Sequence, residues 1–331
     1  MANWISKPVS ALSPNEQSLW RSMGLSNPPL SQDLSWGRAA MAIGSGAWVV
    51  FSPERRVSAL FLISGDEAEC VNGPVLDWPR IDSARELNEQ LGMAVYALHQ
   101  ACPGLKSIRL RPRLSPAEFE FLRAHSAFPV DRIDRACTSV IPLRASQEEQ
   151  WRSLPGRIRH EVSRSFRAGV RVTERDAGED LAGFWNKVLP FYAKRGLYAP
   201  GPAFMEAMLG GGGIRGRVFT AALSASGVES EAGILVVDSG ETGFYLYAYE
   251  ERAEGCPNVS LNAPAQWEAL KHLIGQGVRR YDLNGILHPQ ERSLAPEGPD
   301  LEGFRGVDAY KRKFKGDAVE YVVPSLGFGG L

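Results

Sequence analysis

Three strand-like runs stand almost back to back in the second half of this 331-residue chain: Arg217 to Leu223, Glu231 to Val237 and Gly243 to Tyr249. The segments joining them are too short for a crossover, so the three form antiparallel neighbours in one sheet. Helix-like runs surround this block. Ahead of it lie a Glu/Gln-rich helix capped by Ser146 and a basic helix over Ile158 to Ala168 that stops at Gly169. A short strand at Val170 to Val172, an amphipathic helix over Asp180 to Lys194 and a helix over Pro202 to Leu209 come next, the last halted by the glycine run from Gly210 to Gly213. Behind the block lie a helix over Ala263 to Gly275, a strand over Arg279 to Leu283, a helix around Val307 to Phe314 and a strand over Ala318 to Val323. A short antiparallel block flanked by helices on both sides in sequence predicts a mixed α/β (α+β) domain.

The first half repeats a shorter form of this alternation. Ala47 to Phe51 and Val57 to Ile63 read as strands around a hairpin turn at 52–56, followed by a strand around Val71 to Leu76. Ser83 to Ala101 reads as a helix, Ser107 to Leu110 as a strand, Ser115-Pro116 as a helix start and Thr138 to Leu143 as a closing strand. The division falls near Arg144-Ala145, giving domains 1–145 and 146–331. No stretch approaches the roughly 20 apolar residues that span a bilayer. The N-terminus lacks a basic region followed by an apolar core, which predicts a cytoplasmic protein. Four widely spaced cysteines and five histidines without ligand spacing predict neither a disulfide framework nor a metal. The net charge of −1 leaves room for nucleic acid only at a local basic patch.

The order helix, helix, three antiparallel strands, helix, strand, helix, strand is that of the GNAT acyltransferase fold. Within it, Tyr310-Lys311-Arg312-Lys313-Phe314-Lys315-Gly316 resembles the aromatic-Lys-x-x-Phe-x-Gly signature of the Fem transferases, which build peptidoglycan interpeptide bridges. Other blocks follow in the family's order: Leu30 to Gly37, Gly73-Pro74-Val75-Leu76, the Arg-rich stretch Arg159 to Val170, Tyr245-Leu246-Tyr247, and Tyr281-Asp282-Leu283-Asn284-Gly285-Ile286. The resemblance covers nearly the whole chain. It implies two tandem GNAT-like domains, the acceptor side in the first and the donor side in the second, and transfer of an amino acid from aminoacyl-tRNA to the amine of a peptide. Aminoacyl-tRNA is then a co-substrate and no cofactor is required. The long helical arm of some members has no counterpart, since no extended heptad run is present.

Aminolysis of an aminoacyl ester asks for positioning and charge stabilisation more than for a nucleophile. No Gly-x-Ser-x-Gly motif occurs. The resemblance makes Lys311 the functional lysine, placed to meet the tRNA 3′ end or the oxyanion, with Arg305 extending its patch. By charge pattern alone, Lys311, Arg312, Lys313 and Lys315 form a solvated face. Tyr245, Tyr247 and Tyr249 alternate along one strand and are expected on one face, either in a substrate cleft or as a buried stripe. Arg195 resembles an arginine that the family presents to acceptor phosphates; read without the family, it is a cation at a helix C-terminus. Asp282 and Asn284 stand at a strand end beside Gly285 as cleft residues or as turn stabilisers. Gln32 and Trp36 are expected to anchor the N-terminal helix. Arg157, Arg159, His160, Arg164, Arg167 and Arg171 form the strongest basic cluster, with 160, 164 and 167 on one helix face. Arg157, His160, Arg164 and Arg167, with Lys313 and Lys315, are the candidate tRNA contacts.

Two residues depart from the family pattern: Asn72 where many members carry Arg, and Arg111 before Pro112 where an acidic residue is common. Both lie in the acceptor half, so the acceptor is a peptidoglycan precursor or a small natural-product peptide. An acyl-CoA-dependent GNAT N-acyltransferase is the alternative enzyme. Its pyrophosphate loop, Arg/Gln-x-x-Gly-x-Gly/Ala, corresponds here to Arg252-Ala253-Glu254-Gly255-Cys256-Pro257, where the final proline has no N–H to donate. A non-catalytic peptide- or RNA-binding relative is the third reading, and retention of Lys311 argues against it.

Overall fold

The structure, a computed structural model, describes residues 4–22, 29–52, 54, 57–210, 213–225, 227–287 and 299–329. The chain divides into two compact units. One comprises Met1–Ala136, Ala203–Gly213 and Glu320–Leu331, the other Cys137–Pro202 and Ile214–Val319. The expected boundary at Arg144-Ala145 falls inside the second of these. Parts of the expected turn at 52–56 and of the glycine run at 210–213 lie outside the described residues.

The same succession of elements occurs twice. The first pass runs β1 (Ile5–Pro8), α1 (Pro14–Ser22), α2 (Leu34–Ala42), β2 (Gly46–Ser52), β3 (Val57–Ser64), β4 (Glu67–Asn72), α3 (Ala84–Ala101), β5 (Ser107–Pro112), α4 (Pro116–His125) and β6 (Val130–Pro142). Two helices follow, α5 (Gln147–Ser153) and α6 (Gly156–Arg167). The second pass runs β7 (Arg171–Asp176), α7 (Ala177–Ala193), α8 (Pro202–Gly210), β8 (Arg215–Ala225), β9 (Val228–Ser239), β10 (Thr242–Glu251), α9 (Asn262–Gly275), β11 (Arg280–Ile286), α10 (Pro299–Arg312) and β12 (Asp317–Gly329).

In the first unit β1, β2, β3 and β4 are antiparallel neighbours, and β4 lies parallel to β5. That parallel step needs a long return, which α3 supplies. Leu326–Gly329 of β12 completes the sheet against β5. In the second unit β7, β8, β9 and β10 are antiparallel, β10 lies parallel to β11 across α9, and β11 pairs with β6. Each unit therefore has four antiparallel strands, one parallel step across a helix, and a final strand drawn from the other pass.

Local sequence explains the element ends. Ser83, Ser115 and Ser146 cap α3, α4 and α5, and Ser115 with Glu118 forms a reciprocal capping box. Gly169 ends α6 in the left-handed region (φ 94°). The expected strand at Val71 to Leu76 is displaced. The ladder covers Glu67–Asn72, the chain turns at Asn72 (φ 55°), and Val75 makes only an isolated bridge to Ser58. Pro74, which has no N–H, cannot extend the ladder. Gln32 is 1% exposed and ties Leu60 N–H and Val71 C=O together, while Trp36 packs edge-on against Phe204. Arg111 forms ion pairs with Glu69 and Asp134.

The second unit's core gathers Ile158 and Val162 of α6, Ile234 and Val236 of β9, Leu270 and Leu273 of α9, Tyr281 and Leu283 of β11, and Phe314. Among the described residues no helix is long and apolar enough to cross a membrane.

Candidate active site

The parallel pairing of β10 with β11 covers only Thr242–Phe244 against Arg280–Asp282. Beyond it the strands separate, and each is irregular there. β10 carries a bulge between Tyr245 and Tyr247, and β11 carries one between Asp282 and Gly285. Strands that part leave backbone groups without ladder partners, and these must be satisfied by side chains or by a ligand. Asn284, in the left-handed region (φ 60°), donates from Nδ2 to the Tyr245 carbonyl at 2.6 Å and so bridges the opening. Asp282 accepts from the Asn284 N–H at 2.7 Å and from the Thr138 hydroxyl.

Lys311 enters this opening from α10. The side chain is buried, 6% exposed, rather than part of a solvated charge run. Its Nζ donates to the Gly285 carbonyl at 2.9 Å and lies 5.6 Å from the Tyr245 ring centroid and 5.9 Å from that of Phe304. Burial pulls the ammonium from 10.5 down to about 8, against the opposing pull of the Asp282 and Asp308 carboxylates. Asp308 accepts from the Leu287 N–H at 3.0 Å and from Arg312 Nε at 2.8 Å. Arg312 in turn donates to the Leu287 carbonyl at 2.6 Å, so the pair clamps the end of β11. Arg305 lies half-buried earlier on the same helix. Lys315 takes a left-handed conformation (φ 53°). At Gly316 an added Cβ would stand 2.9 Å from the Val140 carbonyl oxygen, which accounts for the glycine that closes the motif.

The three tyrosines do not share a face. Leu246 is the extra residue of the β10 bulge, so Tyr245 pairs with Val236 and Tyr247 with the adjacent Leu235, on opposite sides. Tyr245 joins the core with Ile158, Leu273 and Phe314. Tyr247 packs against Trp185 and Tyr192 of α7, and Tyr249 against Phe184 with its hydroxyl on Glu231. Arg195 belongs to this second group. It is exposed at the end of α7, folded over the Phe191 ring at 3.5 Å and donating to the Phe191 carbonyl. Burial raises the phenols of Tyr245, Tyr247 and Tyr249, and moves Tyr192 up to about 12. All four are neutral at ordinary pH.

The basic cluster lies along α6. Arg157, His160, Arg164 and Arg167 are exposed. Glu161 Oε1 receives Arg157 at 3.2 Å and Lys313 at 3.5 Å, which joins α6 to the segment carrying Lys311. Lys315 is exposed. Among the described residues no group of three His, Cys, Asp or Glu side chains stands ready to hold a metal.

Residues 152–312 match the family profile described as Acetyltransferase (GNAT) domain. Over the whole chain, the crystal structure of FemX superposes with a TM-score of 0.71 at 14% identity, covering 96% of each chain. The chain has a Fem-like GNAT acyltransferase fold. The same fold is seen in L-PGS from Bacillus licheniformis, with TM-score 0.57, 11% identity, and 94% of this chain against 91% of that one. It recurs in the C-terminal domain of a protein described as a lysylphosphatidylglycerol synthetase from Agrobacterium fabrum, with TM-score 0.56, 16% identity and the same coverage. No curated protein matches the chain by sequence.

In GNAT terms, β10 leads into the loop that would hold a CoA pyrophosphate. Here three of its amides turn inward. Ala253 N–H goes to Ser230 Oγ, Cys256 N–H to the Ala253 carbonyl, and Val259 N–H to the Pro257 carbonyl. The first turn of α9 offers little more. Ala263 N–H bonds Ser260 Oγ, Pro264 has none, and Ala265 N–H returns to the Leu261 carbonyl. Glu250 already brings a carboxylate to this end, bound by Asn262 Nδ2 at 2.7 Å and Arg252 Nε at 2.5 Å.

Three polar residues of the site, Asp308, Thr138 and Gln266, carry no motif in the sequence, and a fourth polar group belongs to Tyr310, the aromatic residue of the lysine motif. Asp308 and Thr138 look like ordinary helix and strand residues until the fold brings them to β11. Gln266 is fully buried, accepting from the Tyr281 hydroxyl at 2.7 Å while its Nε2 finds no protein partner, and the Tyr310 hydroxyl is likewise buried without one. A glutamine at a core position of an amphipathic helix was the one available signal for Gln266.

Proposed function

We propose that this protein is an aminoacyltransferase that moves an aminoacyl group from the 3′-terminal ribose of tRNA to the amine of a peptide acceptor. The carrying observation is the closed pyrophosphate loop. A diphosphate is held by free N–H groups and disfavoured by a carboxylate beside it, whereas Pro257, Pro264, the three inward amides and Glu250 supply the opposite. That favours a donor whose ester is presented without CoA.

Lys311 supports the chemistry. The acceptor nitrogen attacks the ester carbonyl, a C–N bond forms, the C–O bond to the ribose breaks, and one proton passes from the amine to the leaving oxygen. An ammonium held near pH 8 between aromatic rings is charged at neutral pH. It is poised to stabilise the oxyanion or to give its proton to the ribose oxygen. No cofactor is needed, because the ester is already activated. The acceptor is a peptidoglycan precursor or a small peptide. The neighbour described as a lysylphosphatidylglycerol synthetase makes the hydroxyl of phosphatidylglycerol a necessary control.

The test is transfer from a pool of labelled aminoacyl-tRNAs to peptide amines, with acetyl-CoA and phosphatidylglycerol run in parallel. Amine-dependent loss of label from tRNA, abolished in Lys311→Ala, is the expected result. Transfer from acetyl-CoA alone, or an unchanged Lys311→Ala rate, would overturn the proposal.

A further inference from the structure

We infer that the open groove between α5, α6 and α9 binds the unpaired 3′-terminal nucleotides of the donor RNA by base stacking, an inference that rests on the tRNA donor proposed above. These nucleotides are single-stranded, so their bases are free to stack on protein rings. Among the described residues, the helices α5 and α6 stand outside the twice-repeated succession of elements.

The groove is lined by Trp151 of α5, Val162, Ser163 and Phe166 of α6, and Trp267 of α9. The two indole rings lie 4.8 Å apart at 59°, packed on the core from its rim, and Phe166 is 39% exposed. Aromatic faces left open beside cations are what unpaired bases use, since every base offers a π-face and every phosphate a charge. The cations flank the groove by helical spacing. Arg159 stands four residues before Ser163 and Arg167 four after it, the latter donating to the Ser163 carbonyl at 3.3 Å. Arg159 Nε has no protein partner. The one carboxylate of α6, Glu161, is shared by Arg157 and Lys313, and Glu148 at the rim is paired with Arg152. This charge balance favours a polyanion over a basic peptide or a second copy of a nearly neutral chain. Glu161, on another flank of α6, pairs with Lys313 two residues beyond Lys311, so the helix that lines the groove is itself tied to the segment carrying the lysine.

The experiment uses the full chain, unacylated tRNA, and the same tRNA stripped of its unpaired 3′ nucleotides. Tryptophan fluorescence and binding affinity are both read. Intact tRNA is expected to quench the fluorescence and to bind about tenfold or more tighter than the stripped form. Trp151→Leu and Trp267→Leu are expected to remove that difference while binding stripped tRNA as before. Phe166→Ser, at an exposed position, repeats the test without touching the core, and near-ultraviolet circular dichroism verifies folding. If the wild type prefers intact tRNA and all three variants keep that preference, the groove inference fails while the donor reading stands. Should the wild type bind neither RNA, the donor reading fails and the groove falls with it. Concentration-dependent dimers abolished by the tryptophan variants would assign the groove to a second copy and overturn the inference.

Discussion

A buried ammonium whose pKa falls from 10.5 to about 8 destabilises the folded chain by about 3 kcal/mol wherever the unfolded chain would hold it charged. Between those two values the unfolded state binds more protons, so stability rises with pH across that window. Below about pH 8 the full penalty is present. Lys311→Met keeps the length of the side chain and removes the charge, losing the bond to the Gly285 carbonyl and the attraction of Asp282 and Asp308, which burial already outweighs. It is expected to raise stability by about 1–3 kcal/mol at pH 7 in denaturant melts, with the gain vanishing toward pH 10.5, while transfer is lost. A destabilised Lys311→Met protein would mean that the lysine is structural. If the charged form acts on the oxyanion, kcat also falls as pH rises through about 8. Asn284 tests the backbone beside it. Asn284→Gly keeps the left-handed geometry and loses the bond to the Tyr245 carbonyl, whereas Asn284→Ala loses both. Thermal melts are expected to rank wild type above Gly and Gly above Ala, by about 1 kcal/mol a step. Equal variants would remove the backbone argument.

At the scale of elements, capped helices were readable because their signals are local. Ser83, Ser115 and Ser146 announce α3, α4 and α5, and Gly169 announces the end of α6. The β10 bulge was not readable. Tyr245-Leu246-Tyr247 contains no Gly or Pro to mark an extra residue, so the period of two put the three tyrosines on one face. The first residues of β6 were hidden by Asp131, Arg132, Asp134 and Arg135, whose charges mask a strand that β-sheet pairing holds regardless. The burial of Lys311 was hidden for a related reason. A Lys-Arg-Lys run reads as solvated unless something folds over it, and the opening of β10 from β11 is a property of pairing rather than of any one residue. Gly316 belongs to the same scale, since its role is to let the segment after α10 lie against the backbone of β6. Gly316→Ala places a methyl 2.7 Å from Ser139 Oγ and 2.9 Å from the Val140 carbonyl oxygen. A loss of about 1–3 kcal/mol is expected. Adding Ser139→Ala recovers little of it, because the backbone carbonyl cannot move away. Full recovery in the double variant would show that the hydroxyl alone is in the way.

For the whole molecule, a net charge of −1 argues against long-range attraction to RNA, so any tRNA contact depends on short-range pairing along α6. Four arginines there, 157, 159, 164 and 167, against the single carboxylate of Glu161 leave a local excess of about three charges. Counterion release converts that number into a measurable slope. Each neutralised phosphate contributes about −0.7 to −0.9 to the dependence of log K on log salt. A slope of about −2 to −3 is therefore expected for tRNA binding, and Arg164→Gln with Arg167→Gln is expected to flatten it by about 1.5. The same pair should leave stability within about 0.5 kcal/mol, since both side chains are exposed and donate to the backbone carbonyls of Asn258 and Ser163. A wild-type slope near zero would mean that binding does not run through these cations. A slope unchanged in the double variant would move the phosphate path off α6, and with it the reason for placing the donor strand beside Trp151 and Trp267.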